Sequence, residues 1–181
     1  MATRVILTYK DYEALPADGR QYELHEGDLS VTPAPSPRHQ QVSANLFMLL
    51  RHHVRAHGQG EVLYAPIDCI LSDITIVQPD IVYLDPGRLG TISSRGIEGA
   101  PTLVIEILSP STIQIDQGVK FQLYARHGVP YYWIVDFEAR RIEAHRLAEG
   151  TYKLTGRLEG SEPVSLPPLP DLPIVPVTIW S

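Results

Sequence analysis

The run Leu103, Val104, Ile105, Glu106, Ile107, Leu108 constrains this chain more than any other segment. An unbroken apolar stretch of that length reads as a strand buried on both faces, and such strands belong to sheets with other layers packed over them. Glu106 is the exception inside it. An ionised carboxylate in that setting costs on the order of several kcal/mol unless a cation, a metal or hydrogen bonds compensate it. The position therefore predicts a partner, either a metal or a buried salt bridge to Lys120 or an arginine.

Two further residues sharpen that expectation. Asp80 follows Pro79 and opens a short strand-like segment, Asp80 to Leu84, while Lys120 falls on the first turn of an expected helix. If the strands of Asp80 and Glu106 pair, their carboxylates converge on one side of a sheet, close enough for a hard divalent cation such as Mg²⁺. Such an ion activates a bound water and stabilises charge on a phosphate. A lysine nearby orients the attacking water or steadies the developing oxyanion, and Tyr124 lies one turn beyond Lys120 on the same helix face. Two acids and a lysine form the minimal set for metal-assisted phosphodiester hydrolysis.

The rest of the chain supplies the frame. A short helix is expected around Lys10 to Leu15, followed by a hairpin, Gln21 to Glu26 and Asp28 to Thr32, turning at Gly27. Ser36 and Pro37 give an N-cap and a first-turn proline, after which Val42, Leu46, Leu49, Leu50 and Val54 recur at helical spacing. Strands are expected at Glu61 to Ala65 and Asp68 to Leu71. The segment from Gly87 to Gly99, rich in glycine and serine, reads as a loop able to act as a lid.

After Leu108, the turn Ser109, Pro110, Ser111, Thr112 leads to Asp116 as the N-cap of a helix through about Arg126, closed by Gly128. Tyr131 to Val135 forms a second apolar strand, and Arg141 to Arg146 with Thr151 to Thr155 a second hairpin around Glu149 and Gly150. This order favours a mixed sheet flanked by helices. The proline-rich segment from Pro163 to Trp180 should run extended, as an arm against the body or a neighbouring subunit.

Length and composition bound the possibilities. The 181 residues suit a single domain spanning 1–181 with its arm at 163–181. No apolar stretch approaches the ~20 residues of a membrane helix. The start of the chain does not resemble a secretory signal, and the lone Cys69 cannot form an internal disulfide, so a cytoplasmic protein is expected. A net charge of −6 disfavours indiscriminate binding to a polyanion, so nucleic acid recognition would need locally grouped basic residues or divalent cations. His52, His53 and His57, interleaved with Arg51 and Arg55, read as a polar helix face rather than a zinc site, because no glutamate stands at the spacing of a zinc hydrolase motif. Neither Ser109 nor Ser111 lies in a nucleophile elbow, and no glycine-rich phosphate loop opens a helix.

Four stretches in this order and spacing, YELHEG, QPDIVYL, VIEILSPST and KFQLYARHGVPYYWIVD, resemble the Uma-type family of restriction-endonuclease-like proteins within the PD-(D/E)xK nuclease superfamily. The resemblance covers about Tyr22 to Asp136. It implies an α/β fold with a restriction-endonuclease-like mixed β-sheet flanked by helices, and an endonuclease dependent on Mg²⁺ or Mn²⁺ with DNA as substrate. Asp80 becomes the acid of the PD element, Glu106 the second acid, and Lys120 a lysine relocated from strand to helix. Glu23 matches an early acid of the family, a third carboxylate facing the site or an exposed strand residue. His39 matches a position often occupied by histidine, near a phosphate or on the surface. A homodimer is implied as well. The usual lysine position, two residues after the second acid, holds Leu108. Two classes thus stand side by side: a metal-dependent nuclease, and a catalytically silent domain that binds nucleic acid or protein with Glu106 merely salt-bridged to Lys120.

Overall fold

The computed structural model describes residues 4–109 and 115–181. In chain order it contains α1 (Tyr9–Glu13), β1 (Gln21–His25), β2 (Asp28–Thr32), α2 (Pro37–Ala56), β3 (Glu61–Tyr64), β4 (Cys69–Ser72), β5 (Thr75–Val77) and β6 (Ile81–Leu84). A 3-10 turn (Pro86–Thr91) precedes β7 (Ile92–Ser93), β8 (Gly96–Glu98) and β9 (Leu103–Ile107). A π-helical turn (Ile115–Lys120) then runs into α3 (Phe121–Arg126), followed by β10 (Tyr131–Asp136), β11 (Arg141–Ala148), β12 (Thr151–Leu158), β13 (Val164–Leu166), β14 (Leu169–Ile174) and α4 (Pro176–Trp180).

These strands build two six-stranded mixed sheets, so the α/β class holds with more strand layers than the single sheet expected. The central sheet runs β12-β11-β10-β9-β6-β3, parallel only between β9 and β10, and the second runs β2-β1-β5-β4-β8-β7. All five residues of β9 are buried. Strand alternation sorts them: Leu103, Ile105 and Ile107 join the core beneath α2, whereas Val104 and Leu108 join a second core with Cys69, Val77, Ile97 and Tyr124. Glu106 shares its face with that second group, between the central sheet and the layer formed by α3 and the other sheet.

Helix α2 is specified locally and held by tertiary packing. The Ser36 side chain accepts from the His39 backbone N–H at 3.2 Å, Pro37 takes the first turn, and Val42, Leu46, Leu50 and Val54 are fully buried. Each such side chain contributes roughly 1.5–3 kcal/mol of hydrophobic stabilisation. The first hairpin turns through Glu26 and Gly27, both at positive φ (52° and 85°), as a tight two-residue connection demands.

Two expectations are revised here. The Gly87 to Gly99 segment is not a free lid, because β7 and β8 extend the second sheet and β8 pairs with β4. At Gly96, with φ +132°, an added Cβ would stand only 2.4 Å from the Asp68 carbonyl oxygen, so glycine seats that segment against its neighbour. The proline-rich arm does run extended against the body, as β13 and β14 paired in a small antiparallel sheet, but it ends in helix α4 and sends Leu166, Leu172, Ile174, Ile179 and Trp180 into the core under α2. The arm thereby covers most of its apolar residues within the chain, while Val175 and Val177 stay exposed.

Candidate active site

The register of the central sheet decides where the two acids meet. β6 and β9 are antiparallel with Ile81 opposite Ile105, and Asp80, the residue before β6, continues that register toward Glu106. Directly opposed residues project to the same face. The Ile107 N–H donates to Asp80 Oδ2 at 2.8 Å, which fixes the aspartate across the end of the strand pair. Glu23 arrives from the other sheet. Pairing of β1 with β5 brings it beside Gln78, whose backbone N–H donates to Glu23 Oε1 at 2.7 Å.

Lys120 sits among these acids and is itself buried. Its Nζ lies 2.9 Å from Glu23 Oε1, 3.1 Å from Glu106 Oε1 and 3.7 Å from Asp116 Oδ1. The Tyr124 hydroxyl donates to Glu106 Oε1 at 2.7 Å, one turn beyond the lysine as expected from spacing. Glu23, Asp80, Glu106 and Lys120 are thus gathered in one place from four segments of the chain. Asp116 is a different case: it is not an N-cap but a buried member of the π-helical turn. Pro110, Ser111 and Thr112 of the expected turn lie outside the described residues.

His39 departs from the surface reading. It is buried on the first turn of α2, with Nε2 3.0 Å from the Ile107 carbonyl oxygen and 3.3 Å from Asp80 Oδ2. A carbonyl only accepts, so Nε2 carries the proton. His53 is also buried rather than part of an exposed polar face, and its ring packs 4.3 Å from that of His57. Sequence reasoning missed Asp116 as a partner of Lys120, and His25, whose Nε2 lies 3.0 Å from Glu23 Oε2. The alternation of β1 held the signal for the latter, since His25 stands two residues from Glu23 on the same face.

The electrostatics follow from burial and the surplus of acids. Burial alone pushes the Glu23 carboxyl up, but the Lys120 charge, the His25 bond and the Gln78 N–H outweigh it and hold the pKa at about 2. Glu106 goes the other way. Burial raises its carboxyl well above the usual range, Lys120 opposes this, and repulsion from Asp116, Asp80 and Glu23 adds to the rise. Burial disfavours the Lys120 ammonium, yet Glu106, Glu23 and Asp116 together keep its pKa well above that of an ordinary lysine. Burial and then Glu106 likewise raise the Tyr124 hydroxyl, which stays a donor.

For His39, burial favours the neutral ring, but the bond and charge of Asp80 and the Ile107 carbonyl prevail and raise its pKa above 6.5. Its contribution to stability is complete below the ordinary histidine value and fades as pH rises through the raised one. An NMR titration should place His39 above 6.5, and His39→Gln should flatten the stability profile on that alkaline side. A His39 midpoint below 6.5 refutes the bond pattern described.

Asp80, Glu106, Ile107, Asp116, Lys120 and His39 line a cleft of about 640 Å³, the size of pockets that hold small molecules. Among the described residues no group of three or more His, Cys, Asp or Glu side chains is disposed to hold a metal ion. The donors at hand are a pair of carboxylates, Asp80 and Glu106, at an open cleft. That set fits Mg²⁺ or Mn²⁺, hard ions bound through one or two carboxylates and several waters. Among the described residues no helix is long and apolar enough to cross a membrane.

Comparison with known proteins agrees with this architecture. The structure is similar to the crystal structure of "a putative nuclease belonging to DUF820" from Anabaena variabilis, with a TM-score of 0.78 at 20% identity, covering 96% of this chain and 97% of that one. An uncharacterized protein of Synechocystis sp., slr1290, is 32% identical over 120 residues, a match that spans 64% of this chain and 61% of the relative's length. The Uma2 family model, described as "Putative restriction endonuclease", matches residues 9–177, so the chain belongs to the Uma2 family of restriction-endonuclease-like proteins.

Proposed function

We propose that this chain is an endonuclease that hydrolyses phosphodiester bonds in DNA with the help of Mg²⁺ or Mn²⁺. The observation that supports this reading is the charge imbalance at the cleft: Glu23, Glu106 and Asp116 face a single buried ammonium, Lys120, and the Asp80 carboxylate adds its charge beside Glu106. A buried surplus of carboxylates invites a further cation. Asp80 and Glu106 would hold that ion, which supplies an activated water and stabilises charge on the phosphate.

Each residue of the chain then has a task. Glu23 holds the Lys120 ammonium in place, with His25 and the Gln78 N–H fixing the carboxylate in turn. Lys120 directs the attacking water and offsets charge developing on the phosphate. Tyr124 keeps the Glu106 oxygen oriented through its hydroxyl. His39, protonated on Nε2, steadies Asp80 and the end of β9. Assembly as a homodimer is proposed on the family resemblance alone, since the terminal arm packs largely on its own chain.

A second reading has its own observation. Leu108 leaves the strand without a cation, and Lys120 is engaged by carboxylates, as in a purely structural ion cluster. Such a domain binds nucleic acid or protein without cutting. Incubation of plasmid and single-stranded DNA with Mg²⁺ or Mn²⁺ separates the two. The nuclease reading expects cleavage that needs the metal and drops by at least about a hundredfold in Asp80→Asn. No binding of Mn²⁺ by calorimetry and no cleavage by the unmodified protein would leave the silent domain as the correct description.

A further inference from the structure

We propose that the site takes an unpaired strand, with a base of the substrate stacked on the Phe47–Tyr64 pair while its phosphate reaches the acids; this rests on the nuclease reading. The two rings stand 4.4 Å apart between centroids at 52°, and both line the same cleft as Asp80, Glu106 and Lys120. Tyr64 is 56% exposed and its neighbour on the rim, Met48, is 61% exposed. Folding leaves this apolar surface open to solvent, as a surface kept for a ligand would be.

The aromatic pair is tied rigidly to the acid. Tyr64 ends β3 opposite Ile81, the residue after Asp80, and the Ala65 N–H donates to the Asp80 carbonyl oxygen at 2.9 Å. The Tyr64 ring stands on the α2 side of the sheet and Asp80 on the other, and the cleft wraps the end of the strand pair so that both line it. On α2, Gln40 and Ser43 line the same wall and present groups that can bond a base edge.

Charge selects the unpaired form. A duplex offers two rows of phosphates and is gripped through several lysines and arginines. Among the described residues lining the cleft, Lys120 is the only lysine or arginine, and it already faces three carboxylates. The nearby Arg51 and Arg55 are drawn to Glu61, at 3.8 and 3.1 Å, and the Arg51 guanidinium also lies over one face of the Phe47 ring, 5.5 Å from its centroid, which leaves the exposed Tyr64 ring as the main stacking face. Stacking on aromatic faces, which every base can provide, is the interaction these walls offer instead. A cavity of about 640 Å³ suits one or two nucleotides rather than a double helix.

Fluorescence anisotropy tests this with a labelled oligothymidine of about twelve residues, the same backbone without bases, and a duplex, each in Ca²⁺ with strand integrity checked on a gel. The base-bearing single strand should bind at least about tenfold more tightly than the other two. Tyr64→Ala and Phe47→Ala should each cost about tenfold for that strand and nothing for the baseless one, and Tyr64→Phe should bind as the parent does. Thermal melting confirms that each variant is folded. Equal affinity for duplex and strand, or unchanged strand binding in a folded Tyr64→Ala, overturns the proposal. If plasmid is still cut with Mn²⁺ in that event, the nuclease reading survives alone. If no DNA is bound or cut, both fall.

Discussion

Glu106→Gln is expected to lower metal-dependent DNA cleavage by about 10³-fold while leaving the protein folded, as removal of a central charge-stabilising group does in other active sites. The amide matches the carboxylate in shape, and its oxygen can still accept from Tyr124. Lys120 retains Glu23 and Asp116 as counter-charges. Loss of one bond to an ammonium that keeps two anionic neighbours should cost no more than about 1–2 kcal/mol.

The pH dependence of stability discriminates further. The Glu106 carboxyl is raised in the folded protein, so the unfolded chain releases this proton first, and stability declines as pH climbs from 4.5 toward the raised value. Glu23 has the opposite sign: held at about 2, it contributes stability above 4.5 that disappears as pH falls toward 2. Glu106→Gln should erase the first slope and keep the second. Melting curves across pH, with and without Mn²⁺, give the measurement, and Mn²⁺ should raise the midpoint of the parent at neutral pH but not that of the variant. Cleavage within tenfold of the parent removes Glu106 from the chemistry.

Lys120→Met is expected to destabilise the fold at neutral pH by about 3–5 kcal/mol, because it leaves buried carboxylates without their cation. The methionine fills much of the volume, so lost packing is a small part of the effect. Denaturant unfolding should show the deficit shrinking in mild acid. Without the ammonium, Glu23 loses the main influence that lowers its carboxyl, and acid then neutralises the cluster. Mn²⁺ should restore part of the stability without restoring cleavage, since an added cation relieves repulsion but supplies no amine to direct water. A loss below about 1 kcal/mol at neutral pH would mean that the acids are not ionised together.

Local signals made much of the fold legible. α2 carried its cap, its first-turn proline and its apolar spacing, and the two hairpins carried glycines at their turns. β9 announced itself through an apolar run, and the misfit of Glu106 in that run pointed to Lys120, which the structure places 3.1 Å away. The three residues of β5 and the short β7 and β8 were not legible, because so few residues cannot display a period and their strand character comes from pairing, β5 and β8 with β4 and β7 with β8.

The same holds for the site. Asp116 looks like a cap in one dimension, but tertiary packing winds its segment into a π-helical turn that brings it to Lys120. His39 looked like a surface residue because nothing in α2 foretells that the end of β9 lies against its first turn. Tyr64 and Phe47 are far apart in sequence, and only the docking of α2 beside β3 makes them neighbours.

Glu106 belongs to β9 and Asp80, just before β6, is held to that strand by the Ile107 N–H, whereas Lys120 rides on a separate wound turn. A tilt of that turn would withdraw the ammonium while the strand backbone that carries Glu106 stays in place. On the proposed reading, the residues that would hold the ion and the amine that would direct water come from different stretches of polypeptide, so drift along Ile115–Lys120 would alter turnover more than the placement of the two acids.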